Sequence, residues 1–261
     1  MPIDTALVGA LHVDYIGRRD LSENEPLHHT LFQTSTIDAL LDGNYDGDVS
    51  FAELAERGDF GLGTLDALDG EMISLDGNFY QVKSDGVAQP VDGRTKTPFA
   101  VVTFFEPVRP RTLEAAMDFA ALCDLVDKLL NDKSVCCAVR VDGHFGHVKT
   151  RSVPRQCKPY PPLAEVVKNQ PVFELHDVPG SLVGFRFPDY AQGLNVAGYH
   201  FHFITEDRSA GGHVLGCRLT EGALYIDREA DLRVELPPAV SLPMPDQTAS
   251  KRETLDRIEK G

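Results

Sequence analysis

Apolar positions alternate with polar ones over most of the second half of this chain and recur at three- and four-residue spacing in only a few places, which predicts many strands and few helices. Helical spacing is met over residues 34–41 (Ile37, Leu40, Leu41), 51–57, 163–168 and, at greatest length, 112–130, where Leu113, Met117, Ala121, Leu125 and Leu129 form one stripe. Strands are expected at 6–12, at 65–75 and 78–82 around Asp76-Gly77, and at 98–106. A hairpin is expected from 134–141 and 145–153 about Asp142-Gly143. Antiparallel strands then follow at 172–176, 181–187, 198–205, 213–220 and 223–235. Residues 1–30 otherwise look irregular, and 58–64 are dense enough in glycine to mark a close backbone approach or a strand start. Four prolines in 237–245 make an extended spacer. Residues 250–259 after it have helix-forming composition but few apolar side chains, so removing the tail is expected to cost little stability.

One stretch concentrates chemistry. In Tyr199-His200-Phe201-His202-Phe203 alternation puts His200 and His202 on one face of a strand and the aromatic rings on the other. Residues 206–212 are polar and end in Gly-Gly, as a hairpin connection does, and a turn centred near Asp207-Arg208 sets His213 opposite His202. His200, His202 and His213 then converge as three neutral imidazoles with no fourth protein ligand among them. That is the donor set of a catalytic Zn²⁺ site with a position open, and other divalent transition metals accept it too.

Composition narrows the setting. With 261 residues the chain can bury one large core or two small ones, and two packed subdomains sharing a cleft are expected. A net charge of −15 speaks against nucleic-acid and anionic-membrane surfaces. Five cysteines without a Cys-x-x-Cys suggest neither disulfides nor a thiolate metal site, and the N-terminus has no basic, apolar leader, so a cytoplasmic protein is expected. Residues 42–53 match the EF-hand calcium loop at each position, with Asp42, Asn44, Asp46 and Glu53 as oxygen ligands and Gly47 at the bend. The loop is solitary, however, and Gly58 stops its exit helix, so a turn between two short helices is preferred to a calcium-binding module.

Two families share the His-x-His feature. His200, His202 and Glu206 fit the cupin box His-x-His-x-x-x-Glu, but the second cupin box is missing; a cupin-like or other three-histidine hydrolase or dioxygenase is the alternative. The chain more closely resembles acetolactate decarboxylase. The resemblance runs through Leu31-Phe32-Gln33-Thr34-Ser35-Thr36, Tyr45-Asp46-Gly47, residues 58–64, Asp69-Gly70-Glu71, Arg151-Ser152-Val153, Lys158-Pro159-Tyr160, residues 198–203 and residues 211–215. It implies an α/β (α+β) fold of two subdomains with mixed, largely antiparallel curled sheets and the metal in the cleft between them. The expected division is 1–158 as an N-terminal subdomain with Glu71 and Arg151, 159–236 as a β-rich subdomain with the histidine hairpin, and 237–261 as arm and tail. The implied reaction is decarboxylation of 2-acetolactate to acetoin and CO₂ through a metal-stabilised enediolate. The implied machinery is Glu71 as proton donor, Arg151 as the clamp on a substrate oxyanion, Glu259 as a second carboxylate carried back by the tail, with Glu253 its rival, and Thr64 as a hydrogen-bonding partner of substrate. A homodimer acting on this small molecule, with no nucleic-acid or membrane partner, is expected.

Overall fold

Strand-forming runs dominate the chain, and the computed structural model, which describes residues 12–16, 29–237 and 248–260, assembles them into two large sheets and a small ribbon. In chain order the strands are β1 (His12–Ile16), β2 (Thr30–Thr34), β3 (Val49–Ser50), β4 (Phe60–Thr64), β5 (Glu71–Leu75), β6 (Asn78–Val82), β7 (Ala88–Pro90), β8 (Lys96–Thr97), β9 (Ala100–Thr103), β10 (Arg111–Leu113), β11 (Met117–Asp118), β12 (Cys136–Arg151), β13 (Val172–Phe187), β14 (Gly198–Thr205), β15 (Gly211–Glu229) and β16 (Asp231–Glu235). The helices are α1 (Ile37–Leu41), α2 (Phe51–Ala55), α3 (Phe119–Leu130), α4 (Leu163–Val166) and α5 (Thr248–Lys260). Among the described residues no helix is long and apolar enough to cross a membrane.

The first sheet runs β1-β16-β2-β9-β4-β5-β6-β7 and is antiparallel except where β16 lies parallel to β1 and β2. The second runs β10-β15-β12-β13-β14 with β11 beside β15, and β14 pairs back onto β15, so β15, β12, β13 and β14 close on themselves. The mixed, largely antiparallel, curled architecture is therefore present. The sheets share the chain differently from a cut at residue 158. Strands of the second sheet begin at Arg111, β16 returns to the first, and one apolar cluster joins Leu62, Ile73 and Val101 of the first sheet to Ala138, Val183 and Phe185 of the second.

Several strands are longer than the pattern predicts. The Asp142-Gly143 turn does not form; β12 runs through it for 16 residues, and the expected pairs of strands at 172–187 and beyond 213 merge in the same way into β13 and β15. The cause is packing between backbones. Gly143 stands opposite Gly180 on one side and Gly222 on the other, and a Cβ at Gly143 would lie 2.3 Å from the Glu221 carbonyl oxygen. Glycine here admits a neighbouring strand rather than a reversal.

The helix expected over 112–130 is shorter too. Asp118 accepts a hydrogen bond from the Ala121 amide at 2.9 Å and caps α3, whose buried face is Leu122, Val126 and Leu130. Leu113 and Met117, which extended the apparent stripe, lie instead on β10 and β11 against β15. The strand expected from residue 65 starts only at Glu71, because Ala67 and Leu68 adopt φ of 58° and 55° and fold 66–68 into a tight turn. β2 fills the gap between residues 1–30, which look irregular, and the helix expected over 34–41, and of the strand expected at 6–12 only His12 lies within the described residues.

The tail corrects another expectation. α5 buries Leu255 and Ile258 in a cluster with Ile37, Leu40, Leu41 and Leu163. Lys251 pairs with Asp42 at 2.7 Å and with the buried Asp38 at 3.8 Å. Full burial of such side chains is worth about 1.5–3 kcal/mol each, so the tail is docked, and its removal is not cheap.

Candidate metal centre

β14 places His200 and His202 on its outer face while Phe201 and Phe203 enter the apolar cluster enclosed by the second sheet. The β14–β15 register sets His202 directly opposite His213. One ring nitrogen from each of the three histidines lies within 4.8 Å of the others, and all three rings are buried. Their neighbours define the donors: His202 Nδ1 donates to the Met72 carbonyl of β5 at 2.8 Å, which leaves the lone pair on Nε2. That Nε2 and His200 Nδ1 are buried without a hydrogen-bond partner, while His200 Nε2 lies 3.1 Å from His213 Nδ1. A buried polar atom left unpaired costs about 1–3 kcal/mol, and a cation held among the three rings would relieve that cost at His202 Nε2. Burial, reinforced by Arg151, holds the His200 imidazole down at about 3, and burial holds His202 and His213 well below their usual value. All three are neutral, as metal ligation requires.

The remaining expected residues meet at the same place. Glu71, at the start of β5 and opposite Thr64 on β4, has its Oε2 3.5 Å from His202 Nε2. Glu259 of α5 has its Oε2 3.5 Å from His213 Nε2 and 3.7 Å from His200 Nε2, and its Oε1 3.8 Å from an Arg151 terminal nitrogen. Arg151 ends β12 opposite His213 and is 4% exposed. Thr64 donates its hydroxyl hydrogen to the Gly70 carbonyl at 2.7 Å, which leaves its oxygen free to accept. These seven side chains, with Ile37, Leu40, Phe99 and Leu163 among the apolar walls, line one cavity of about 40 Å³. Burial pushes the carboxyls of Glu71 and Glu259 up to about 7, against the opposing pull of Arg151, into the range where a carboxyl holds and releases a proton at neutral pH.

Other candidates fall away from this centre. Glu253 is exposed, as is Glu206, the cupin-like carboxylate, on the turn after β14. The calcium-like loop is held by contacts of the chain itself: Asp42 pairs with Lys251, Asp46 with Lys158 and Tyr160, and Asn44 donates to the Ala39 carbonyl. Glu53 completes a capping box with Ser50 at the start of α2. Among the described residues the groups able to hold a metal do not include it.

Three supports escaped the sequence reading. Gln170 accepts a hydrogen bond from Arg151 Nη1 at 2.8 Å and fixes the guanidinium, while Arg151 Nε is buried without a hydrogen-bond partner. The Met72 carbonyl orients His202, and the Lys251 pair docks the helix that carries Glu259. No side-chain motif marks a carbonyl or a lone glutamine. The α1–α5 docking had a signal in the i, i+3 pair Leu255 and Ile258.

The chain is similar to known proteins over most of its length. The sequence model of the alpha-acetolactate decarboxylase family matches residues 31–242. The chain is 48% identical over 241 residues to an alpha-acetolactate decarboxylase of Methanosarcina mazei, covering 92% of this chain and 83% of that one. It is 48% identical over 231 residues to the protein of the same description from Methylococcus capsulatus, covering 88% and 89%. The crystal structure of alpha-acetolactate decarboxylase from Bacillus subtilis strain 168 superposes with a TM-score of 0.83 at 39% identity, over 89% of this chain and 99% of that one.

Proposed function

The chain belongs to the alpha-acetolactate decarboxylase family, and from that premise we propose how its residues divide the work of converting 2-acetolactate to acetoin and CO₂, a carbon–carbon lyase reaction. The observation that carries the proposal is the convergence of three neutral imidazoles, two carboxyls and one guanidinium on a single buried cavity.

His200, His202 and His213 are the ligands for a divalent transition metal, with Zn²⁺ preferred by the donor set. Such an ion supplies a Lewis acid for the substrate oxygens on which charge develops. Losing CO₂ from a β-keto acid leaves the bonding electron pair on the ketone side, as an enediolate, and a proton must then reach one carbon. Arg151, kept in place by Gln170, orients the substrate by pairing its planar fork with an oxyanion. Glu71 delivers the proton, because β5, paired with β4, holds its Oε2 3.5 Å from His202 Nε2 beside the triad. Glu259 stands between the triad and Arg151, where it tunes both and holds a proton or water in reach of the reacting carbon. Thr64 accepts a hydrogen bond from the substrate hydroxyl, and the apolar walls formed by Ile37, Leu40 and Phe99 keep bulk water from quenching the intermediate. The setting we propose is a cytoplasmic homodimer with no nucleic-acid or membrane partner.

Release of acetoin and CO₂ from 2-acetolactate by the purified protein is the direct test. Acid release from an ester or amide with no acetoin formed would instead mark a hydrolase built on the same triad.

A further inference from the structure

A second group of ligand-type side chains lies outside the cavity, on the paired strands β12 and β13. His147 and His176 are direct cross-strand partners, and Glu174, two residues before His176, shares its face. The two imidazole centroids are 5.1 Å apart with planes 30° apart, and the Glu174 carboxylate touches His147 Nε2. One donor atom from each of the three lies within 4.8 Å of the others. His147 is half-buried, and Glu174 and His176 are exposed.

The strands explain how the group forms. Alternation turns Val148 and Leu175 toward the apolar cluster of the second sheet and leaves 147, 174 and 176 facing out. On the other side of β12 the pairing with β15 slips between His144 and Phe145 and again between Phe145 and His147, and irregularities of this kind re-aim the side chains beside them.

We propose that His147, Glu174 and His176 form a second, solvent-facing site for a divalent transition-metal ion, of the class Zn²⁺, Ni²⁺ or Cu²⁺, separate from the buried triad. Two imidazoles and a carboxylate are a complete protein ligand set for such an ion, with water filling the open positions. Hard ions such as Ca²⁺ and Mg²⁺ favour sites made wholly of oxygen, which this is not. A directly paired cross-strand couple brings two donors together without closing a loop, so little ordering is left for the ion to impose. The chain's net charge of −15 concentrates cations around it. Lys149 opposite Glu174 and Arg218 opposite His147 work against a cation, which makes this site the weaker of the two. His147 lies four residues, about 13 Å along β12, from Arg151, so filling the site leaves turnover unchanged.

The test is calorimetric titration of Zn²⁺ into enzyme whose triad already holds its metal. One additional ion per chain is expected, and His176→Ala or Glu174→Gln weakens its binding by about tenfold or more, while His144→Ala does not. The bound ion clips β12 to β13, so Zn²⁺ raises the Tm of this enzyme and not that of the His147→Ala/His176→Ala double variant. No additional ion in the unmutated enzyme, or the same additional ion in the double variant, would overturn the site. All four positions lie at the surface, and acetoin formation at the normal rate in each variant verifies that it is folded.

Discussion

The two walls of the cavity are built differently. Four strands hold His200, His202, His213, Arg151 and Glu71, each strand paired to neighbours within a sheet, whereas Glu259 rides on one 13-residue helix at the end of the chain. The strand wall is fixed by ladders of backbone hydrogen bonds and by two sheets that share a core. The helix wall is fixed by Leu255, Ile258 and the pairing of Lys251 with Asp42 and Asp38. Few contacts of this kind make a segment that opens at lower free energy than the body does. Under the proposed division of work, metal holding and proton delivery by Glu71 belong to the rigid wall, and what Glu259 adds can be removed separately.

The sharpest break with that division would come from Glu71. Glu71→Gln keeps shape and removes the transferable proton, and turnover should fall by about two to four orders of magnitude with the metal retained. Near-normal turnover in a steady-state acetoin assay would shift the acid role to the helix wall. Next in size is the tail itself: deleting residues 246–261 should lower activity by about an order of magnitude or more, Glu259→Gln should reproduce most of the loss, and Glu253→Gln should not. Full activity in the truncated enzyme would remove Glu259 from the machinery.

A smaller effect sharpens the contrast in stability. Ile258→Ala should weaken α5 docking by about 2 kcal/mol, which hydrogen exchange reads as roughly thirtyfold faster exchange in α5 with β14 unchanged. Equal acceleration in both would mean that helix and strands open as one unit. The smallest effect belongs to residues 42–53. Asp42→Ala should cost within about 0.5 kcal/mol for an exposed pair, and Glu53→Ala about 1 kcal/mol for a lost capping box. Neither cost should depend on calcium; a calcium-dependent rise in Tm that vanishes in Asp42→Ala would restore the calcium reading.

The strand wall was legible in the sequence where two-residue alternation and a short polar turn act locally. His200, His202 and His213 follow from those alone, and the register between β14 and β15 agrees. Glycine misled elsewhere, because Asp142-Gly143 is a turn signal in local chemistry but Gly143, Gly180 and Gly222 answer a non-local need for three backbones to lie close. The apparent stripe over 112–130 failed for a related reason. A period of three to four residues continues by chance across β10 and β11, and only the Asp118 cap marks the true start. Arg151 and Glu71 came from resemblance, since a charged residue at a strand end says nothing locally of what faces it across a cleft. The helix wall was half legible: composition gave the helix, while its docking depends on a partner surface around Ile37 and Leu40 more than two hundred residues earlier.

The central claim, that the strand wall holds the metal without help from the helix, is tested most directly by elemental analysis of dialysed protein. About one transition metal per chain is expected in the unmutated enzyme and in Glu259→Gln, with the metal lost from His202→Ala. Full occupancy in His200→Ala, His202→Ala and His213→Ala alike, or loss of the metal in Glu259→Gln, would contradict it.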